Sequence, residues 1–168
     1  MALNAEDELS IQRLVAIYSD AVTCRDPDAA AAVFTEDAVL SAFGGPDVSG
    51  RTAIRDALAG RSRRATGDAN RDEPPEPGFS MQFTRMIAVD MDGSDAVGRS
   101  YYFEMSRGPD RDSAGRFSTG INEDRYALTP EGWRIARRRI MRTYVGDASL
   151  PGKTTAIAVP AWPGGPKR

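Results

Sequence analysis

This sequence predicts an α+β fold, with helices gathered at the N-terminal end and an antiparallel sheet following them. Three observations carry it. Apolar residues recur at spacings of three and four through the first third of the chain; the apolar period then changes to two from Phe79 onward; and the period-two segments are joined by short Gly-, Asp- and Pro-rich turns. The first pattern marks one face of a helix and the second one face of a strand. Connections that short join antiparallel neighbours. Helices first and strands after then place the helices on one face of the sheet.

Ile11, Leu14, Val15, Tyr18 and Val22 form one stripe, with Gln12, Arg13, Ser19 and Asp20 on other faces, which predicts a helix over residues 5 to 24. Asp26-Pro27 reads as an N-cap followed by proline at the first helical position, opening a short alanine-rich helix that closes near Val33 and Phe34. Ala38 to Phe43 reads as a first strand stopped by Gly44-Gly45-Pro46. Arg51 to Arg61, with Ile54, Ala57 and Leu58 on one side, reads as a third helix. Residues 61 to 78 hold almost no large apolar side chain and three prolines, and read as a mobile loop. Four strands follow, Phe79 to Met91, Ala96 to Met105, Phe117 to Leu128 and Trp133 to Tyr144, as an antiparallel meander. The expected layout is one domain over residues 1–145 and a Pro/Gly-rich tail over 146–168, with a cone-shaped cavity between the curved sheet and the first helix.

The chain has 168 residues, 40% hydrophobic and 27% charged, which suits one ordinary domain with a core large enough for a small internal pocket. A formal charge of -2 argues against a dedicated nucleic-acid binder. There is no histidine, which excludes an imidazole general base, a Ser-His-Asp triad and a histidine-ligated metal. Cys24 is the only cysteine, so neither an internal disulfide nor a thiolate cluster can form. With no leader pattern and no long apolar run, the chain is expected to be cytoplasmic and away from membranes. No cofactor is expected, and no metal: Asp110-Arg111-Asp112 lacks further hard ligands.

The segments IQRLVAIYSDAVTCRDPDAAAAVFTEDAVL, SGRTAIRDALAG, MDGSDAVGRSYY and GINEDRYALTPEGWRIARRR, in that order, resemble the nuclear transport factor 2-like superfamily and, within it, the SnoaL-like group. The resemblance implies a cystatin-like, cone-shaped antiparallel sheet packed on three N-terminal helices, a small-molecule substrate and, often, a homodimer across the sheet. It leaves activity open, since the fold hosts isomerases, dehydratases, polyketide cyclases, hydrolases and non-catalytic subunits. The Asp-His pair of scytalone dehydratase and hexachlorocyclohexane dehydrochlorinase falls on Thr23 and Gln82 here, so that dyad is absent. The catalytic tyrosine of ketosteroid isomerase coincides with Tyr18, but its general-base position falls near Ala42. The base aspartate of SnoaL-type cyclases falls at or beside Asp124, and a substrate-binding asparagine of scytalone dehydratase falls near Asn122.

Strand alternation tests these positions without the family. Glu123 and Arg125 are the more plausible solvent pair, which turns Asn122, Asp124 and Tyr126 toward the helices. A carboxylate there can serve as general acid or base, with Tyr18 donating to a developing oxyanion and Asn122, Gln82, Thr23, Tyr126, Phe34 and Phe43 lining the substrate. The competing reading is that Asp124 pairs with Arg137 or Arg139 of the last strand and only satisfies the core. Arg134, Arg137, Arg138, Arg139 and Arg142 read as solvated or paired across strands with acids such as Glu104 and Glu123. Asp20 reads as a surface residue and Cys24 as a small filler. The expected function is cofactor-independent isomerisation, dehydration or cyclisation of an apolar cyclic or polyketide-like molecule; the alternative is a non-catalytic ligand carrier or structural subunit.

Overall fold

Asn4 starts the first helix by accepting the backbone N–H of Asp7 on its side chain, and Glu6, Asp7 and Glu8 place negative charge where the helix dipole favours it. In the computed structural model, which describes residues 3–65, 79–107 and 115–148, this helix α1 runs Ala5–Thr23 and buries Ile11, Leu14, Val15, Tyr18 and Ala21. Asp26 caps α2 (Pro27–Ala32) by accepting from Ala29 N–H. The third helix, α3, spans Arg51–Ala65 and so enters the segment expected to be a loop. The rest of that loop, residues 66–78, lies outside the described residues, as do residues 108–114 with Asp110-Arg111-Asp112 and the tail from residue 149.

The sheet has six strands, the expected first strand and the four of the meander with one short addition, β2: β1 (Phe34–Ala42), β2 (Val48–Ser49), β3 (Phe79–Asp92), β4 (Asp95–Arg107), β5 (Gly115–Thr129) and β6 (Gly132–Ala148). Their order is β2-β1-β6-β5-β4-β3. The expected meander is present as β3 to β6, all antiparallel. The expected first strand, β1, joins the same sheet, parallel to β6 with Leu40 opposite Arg138 and antiparallel to the two-residue β2. It begins at Phe34, four residues before the expected start, because its pairing with β6 skips from Phe34 to Val39 and leaves Glu36 and Asp37 exposed between. At the other end β6 continues to Ala148 opposite Gly115, so residues 146–148 belong to the sheet and not to the tail.

Three bulges decide which side chains face inward, one of them at Thr143 on β6, where Gly120 pairs with Arg142 and Thr119 with Tyr144. On β6, Ile135 sits opposite Tyr126 and Arg137 opposite Arg125, leaving Ala136 as an extra residue. Inward positions therefore change from odd (Trp133, Ile135) to even (Arg138, Ile140). On β3, Met86 pairs with Ser100 and Ala88 with Arg99, leaving Ile87 as the extra residue. Even positions up to Met86 are half-buried and odd ones beyond it, Val89 and Met91, take over.

Helix α1 lies against β3 at one edge of the sheet and against β6, while its backbone stands farther from β4 and β5 between them. The inward side chains of the two middle strands point into that interval. Tyr18 meets Phe34 edge-on, with ring centroids 5.8 Å apart. Gly120 on β5 has no room for a side chain, since a Cβ there would collide with the Met141 carbonyl and the Tyr102 ring.

Candidate functional site

Alternation along β5 turns Ser118, Asn122, Asp124 and Tyr126 toward the helices, and all four are buried. A row this polar is unusual inside a small core, where such groups must find partners. Asn122 donates from Nδ2 to Ser100 Oγ across the β4–β5 pair at 3.0 Å. Tyr102 Oη lies 3.4 Å from Ser118 Oγ. Asp124 accepts three hydrogen bonds: Arg138 Nε to Oδ1 at 2.8 Å, Arg138 Nη2 to Oδ2 at 2.7 Å, and Tyr126 Oη to Oδ2 at 2.8 Å. Both side chains of the ion pair are sealed from solvent. The guanidinium also lies over the Tyr18 ring, 4.4 Å from its centroid, so β5, β6 and α1 all contribute to one cluster.

The charges there are mutually fixed. Burial pulls the Arg138 guanidinium down, but the charge and hydrogen bonds of Asp124 more than offset this and leave it above the ordinary arginine range. Burial first, and the Asp124 charge second, push the Tyr126 phenol well above the ordinary tyrosine value, so it stays protonated and donates. One donor is left over: Arg138 Nη1 is buried with no hydrogen-bond partner among the described residues. Thr35 Oγ1 shares that condition.

The structure brings Asp124, Tyr126, Tyr18 and Asn122 to one side of the sheet, as strand alternation predicted, with Phe34 against Tyr18. It corrects the arginine: the partner of Asp124 is Arg138, not Arg137 or Arg139. The Ala136 bulge moves those two to the outer face, where Arg137 lies 3.5 Å from Asp47 and Arg139 is exposed. Arg138 is therefore neither solvated nor part of a surface stripe. Glu123 pairs with Arg99 at 3.0 Å, and Glu104 accepts from Ser80 and not from an arginine of β6. Thr23 and Gln82 meet, but at the seam between α1 and β3: Gln82 N–H donates to Thr23 Oγ1 at 3.0 Å, Ser19 Oγ donates to the Gln82 carbonyl at 2.8 Å, and the Gln82 amide donates to Thr84. Phe43 stands at the end of β1, beside Arg142. Asp20 and Cys24 are exposed, so Cys24 is not the filler expected; burial and the Asp20 and Asp26 charges nonetheless raise its thiol above the ordinary range. No group of three or more metal-ligating side chains occurs among the described residues. Arg138, Ser100 and Tyr102 were missed as site residues. Counting register back from the Thr129–Gly132 turn would have found Arg138 only with the bulge at Ala136 included.

Helices on one face of a sheet with this strand order, around an inward polar row, define the nuclear transport factor 2-like class of small α+β domains, also described as cystatin-like. The SnoaL-like domain profile matches residues 4–139, and the chain belongs to that family. It is similar in structure to a candidate scytalone dehydratase from Novosphingobium aromaticivorans (21% identity, TM-score 0.68, covering 88% of this chain and 93% of that one). A protein from the same organism described as NTF2-like with a cystatin-like fold gives 25% identity and a TM-score of 0.64, covering 82% of each chain. A ketosteroid isomerase-like protein from Erwinia carotovora gives 17% identity and a TM-score of 0.65, covering 84% of this chain and 99% of that one. By sequence, no curated protein matches.

Proposed function

We propose that the chain is a cofactor-independent acid–base catalyst that isomerises, dehydrates or cyclises an apolar cyclic or polyketide-like molecule held between α1 and the inward row of β5. The observation that carries this reading is the Asp124–Arg138 pair. Burying two charges costs more than apolar residues of the same volume would, so a core built for stability alone would not select it. Asp124 is the proton carrier. Its carboxylate has roughly four lone-pair positions, and three hydrogen bonds occupy two on Oδ2 and one on Oδ1. The remaining position on Oδ1 is the one that takes the proton. Arg138 Nη1–H and the Tyr18 hydroxyl supply donors to the oxygen on which negative charge develops. Asn122, which gives one amide N–H to Ser100, keeps its carbonyl oxygen for orienting the substrate.

The test is proton exchange α to a carbonyl, followed by NMR in D2O on a panel of cyclic ketones and enones. Wild-type protein is expected to exchange at least one, and Asp124→Asn to lower that rate by about 10²–10⁴-fold. Full exchange by Asp124→Asn removes Asp124 from the mechanism.

The second reading, a non-catalytic carrier or subunit, is favoured by one specific observation: the carboxylate already has three donors inside the protein. Absence of exchange for every ketone, with ligand binding retained, selects it.

A further inference from the structure

Along β6 the side chains turned toward the helices pass from buried to exposed. Arg138 and Ile140 are sealed in, whereas Arg142 and Val145, the next two on that face, reach solvent. Arg142 stands opposite Gly120, two inward positions along β5 from Asp124. At roughly 3.3 Å per residue this separates the two rows by about 13 Å. The row between them, Asn122–Ile140–Ala42, is apolar apart from the amide.

The other arginines of β6 are engaged elsewhere. Arg134 donates to the Trp133 carbonyl, Arg137 lies beside Asp47, Arg138 is bound to Asp124, and Arg139 is on the outer face opposite Glu123. Arg142 joins Arg138 on the helix side, with no ion pair or hydrogen bond to its guanidinium among the described residues. Glu104, an acid on the same face, belongs to β4 and accepts from Ser80 on β3, away from β6.

An aromatic ring holds Arg142 in place. Its guanidinium carbon lies 4.1 Å from the Phe43 ring centroid. Phe43 packs against the core and is itself fixed, since its N–H donates to the Ile140 carbonyl at 2.9 Å and its φ of 57° is a left-handed conformation that a bulky residue adopts only where its surroundings impose it. A guanidinium resting on an aromatic face keeps its paired N–H donors for an acceptor in its own plane.

We infer that Arg142 sets the specificity of the candidate site by holding a carboxylate at the outer end of an elongated apolar substrate, whose reacting carbonyl lies at Asp124. A single guanidinium matches a carboxylate in charge and in its paired acceptors, whereas a phosphate monoester would bring further charge with no partner. The inference rests on the proposed reading of the site, because both place a small molecule along the inward row, and it narrows the substrate class to keto acids.

The test pairs 6-(3-carboxypropyl)-1-tetralone, a keto acid of suitable length, with its neutral primary amide. Calorimetry gives affinity, amide resonances give location, and proton exchange in D2O is followed separately. The acid is expected to bind about tenfold more tightly than the amide, to lose that margin as salt rises, and to shift resonances at Phe43, Asn122 and Arg142. Arg142→Gln is expected to remove the margin by weakening the acid alone, whereas Arg139→Gln, on the outer face, preserves it. Equal binding of acid and amide, failure of both to bind, or a margin indifferent to Arg142→Gln would overturn the inference. Exchange separates it from the catalytic reading: a margin that depends on Arg142 without exchange of any ketone upholds the carboxylate site and removes the catalysis, and exchange without such a margin does the reverse.

Discussion

Arg138 grips Asp124 directly across the β5–β6 pair with two parallel hydrogen bonds, and neither side chain has any exposure to solvent. The pair is thus a fixed unit of the core as well as the centre of the candidate site. Its two roles separate by which partner is removed.

Asp124→Asn is expected to lower unfolding free energy by about 3–5 kcal/mol, because it leaves the guanidinium buried without its charge. Asp124→Leu combined with Arg138→Met is expected to cost less than the two single changes added together. Urea denaturation of all three variants measures this, and strict additivity would show that the two charges are not coupled.

Much of this was legible beforehand. The α1 stripe from Ile11 to Val22, the Asp26-Pro27 cap and the four meander strands follow from spacing alone, since each places apolar groups on one face. The inward direction of Asn122, Asp124 and Tyr126 followed from Glu123 and Arg125. The arginine partner did not, because Trp133 and Ile135 set an odd parity that the bulge at Ala136 reverses, and no residue type marks a bulge reliably. On β3 the apolar residues seemed to favour two faces at once for the same reason: Ile87 is the extra residue, and each parity is correct on its own side of it. The β1–β6 pairing was hidden because parallel contacts between distant segments leave no local pattern.

Gly120→Ala is expected to destabilise the fold by about 1–3 kcal/mol. The added methyl would meet a backbone carbonyl, that of Met141, which cannot swing aside as a flexible side chain can. A lowered midpoint in thermal melting checks this, and a wild-type midpoint would mean that β5 and β6 separate more easily than their pairing implies.

Trp133 Nε1 donates to Asp7 Oδ1 at 2.8 Å and ties the start of α1 to the start of β6. Because Trp133 is buried, Asp7→Ala is expected to cost about 1–2 kcal/mol in urea denaturation by leaving the indole N–H unpaired. Asp7→Asn, which keeps an acceptor, is expected to recover most of that loss.

The outer sheet face exposes Met81, Phe83, Phe103 and Tyr144, which together form an apolar surface of the kind that solvated strands avoid. A homodimer through this end of the sheet is the expected state. Sedimentation at micromolar concentration should give twice the 18.2 kDa chain mass, and Phe83→Lys should shift it to the monomer. A wild-type monomer under those conditions would exclude the arrangement.

Cys24 offers a check of local electrostatics. Burial, followed by Asp20 and Asp26, disfavours the thiolate, so alkylation by iodoacetamide at pH 8 is expected to be slower than for free cysteine despite the residue's exposure. The rate should climb only at more alkaline pH. Asp20→Asn should accelerate it at pH 8, and no change would assign the slow reaction to access alone.

The parallel pairing of β1 with β6 also sets the order in which the molecule can be completed. During synthesis, Leu40 leaves the ribosome long before Arg138, and until β6 follows, β1 has only the two residues of β2 beside it. The helices and the first strand must wait as an open platform while β3, β4 and β5 are made, and the late strand closes the structure by sliding between β1 and β5. Such a long-range closure is slow and leaves apolar strand edges exposed in the interim. A nascent chain arrested before β6 would therefore be a client for molecular chaperones, and shortening the chain within β6 would disable the first strand as surely as the last.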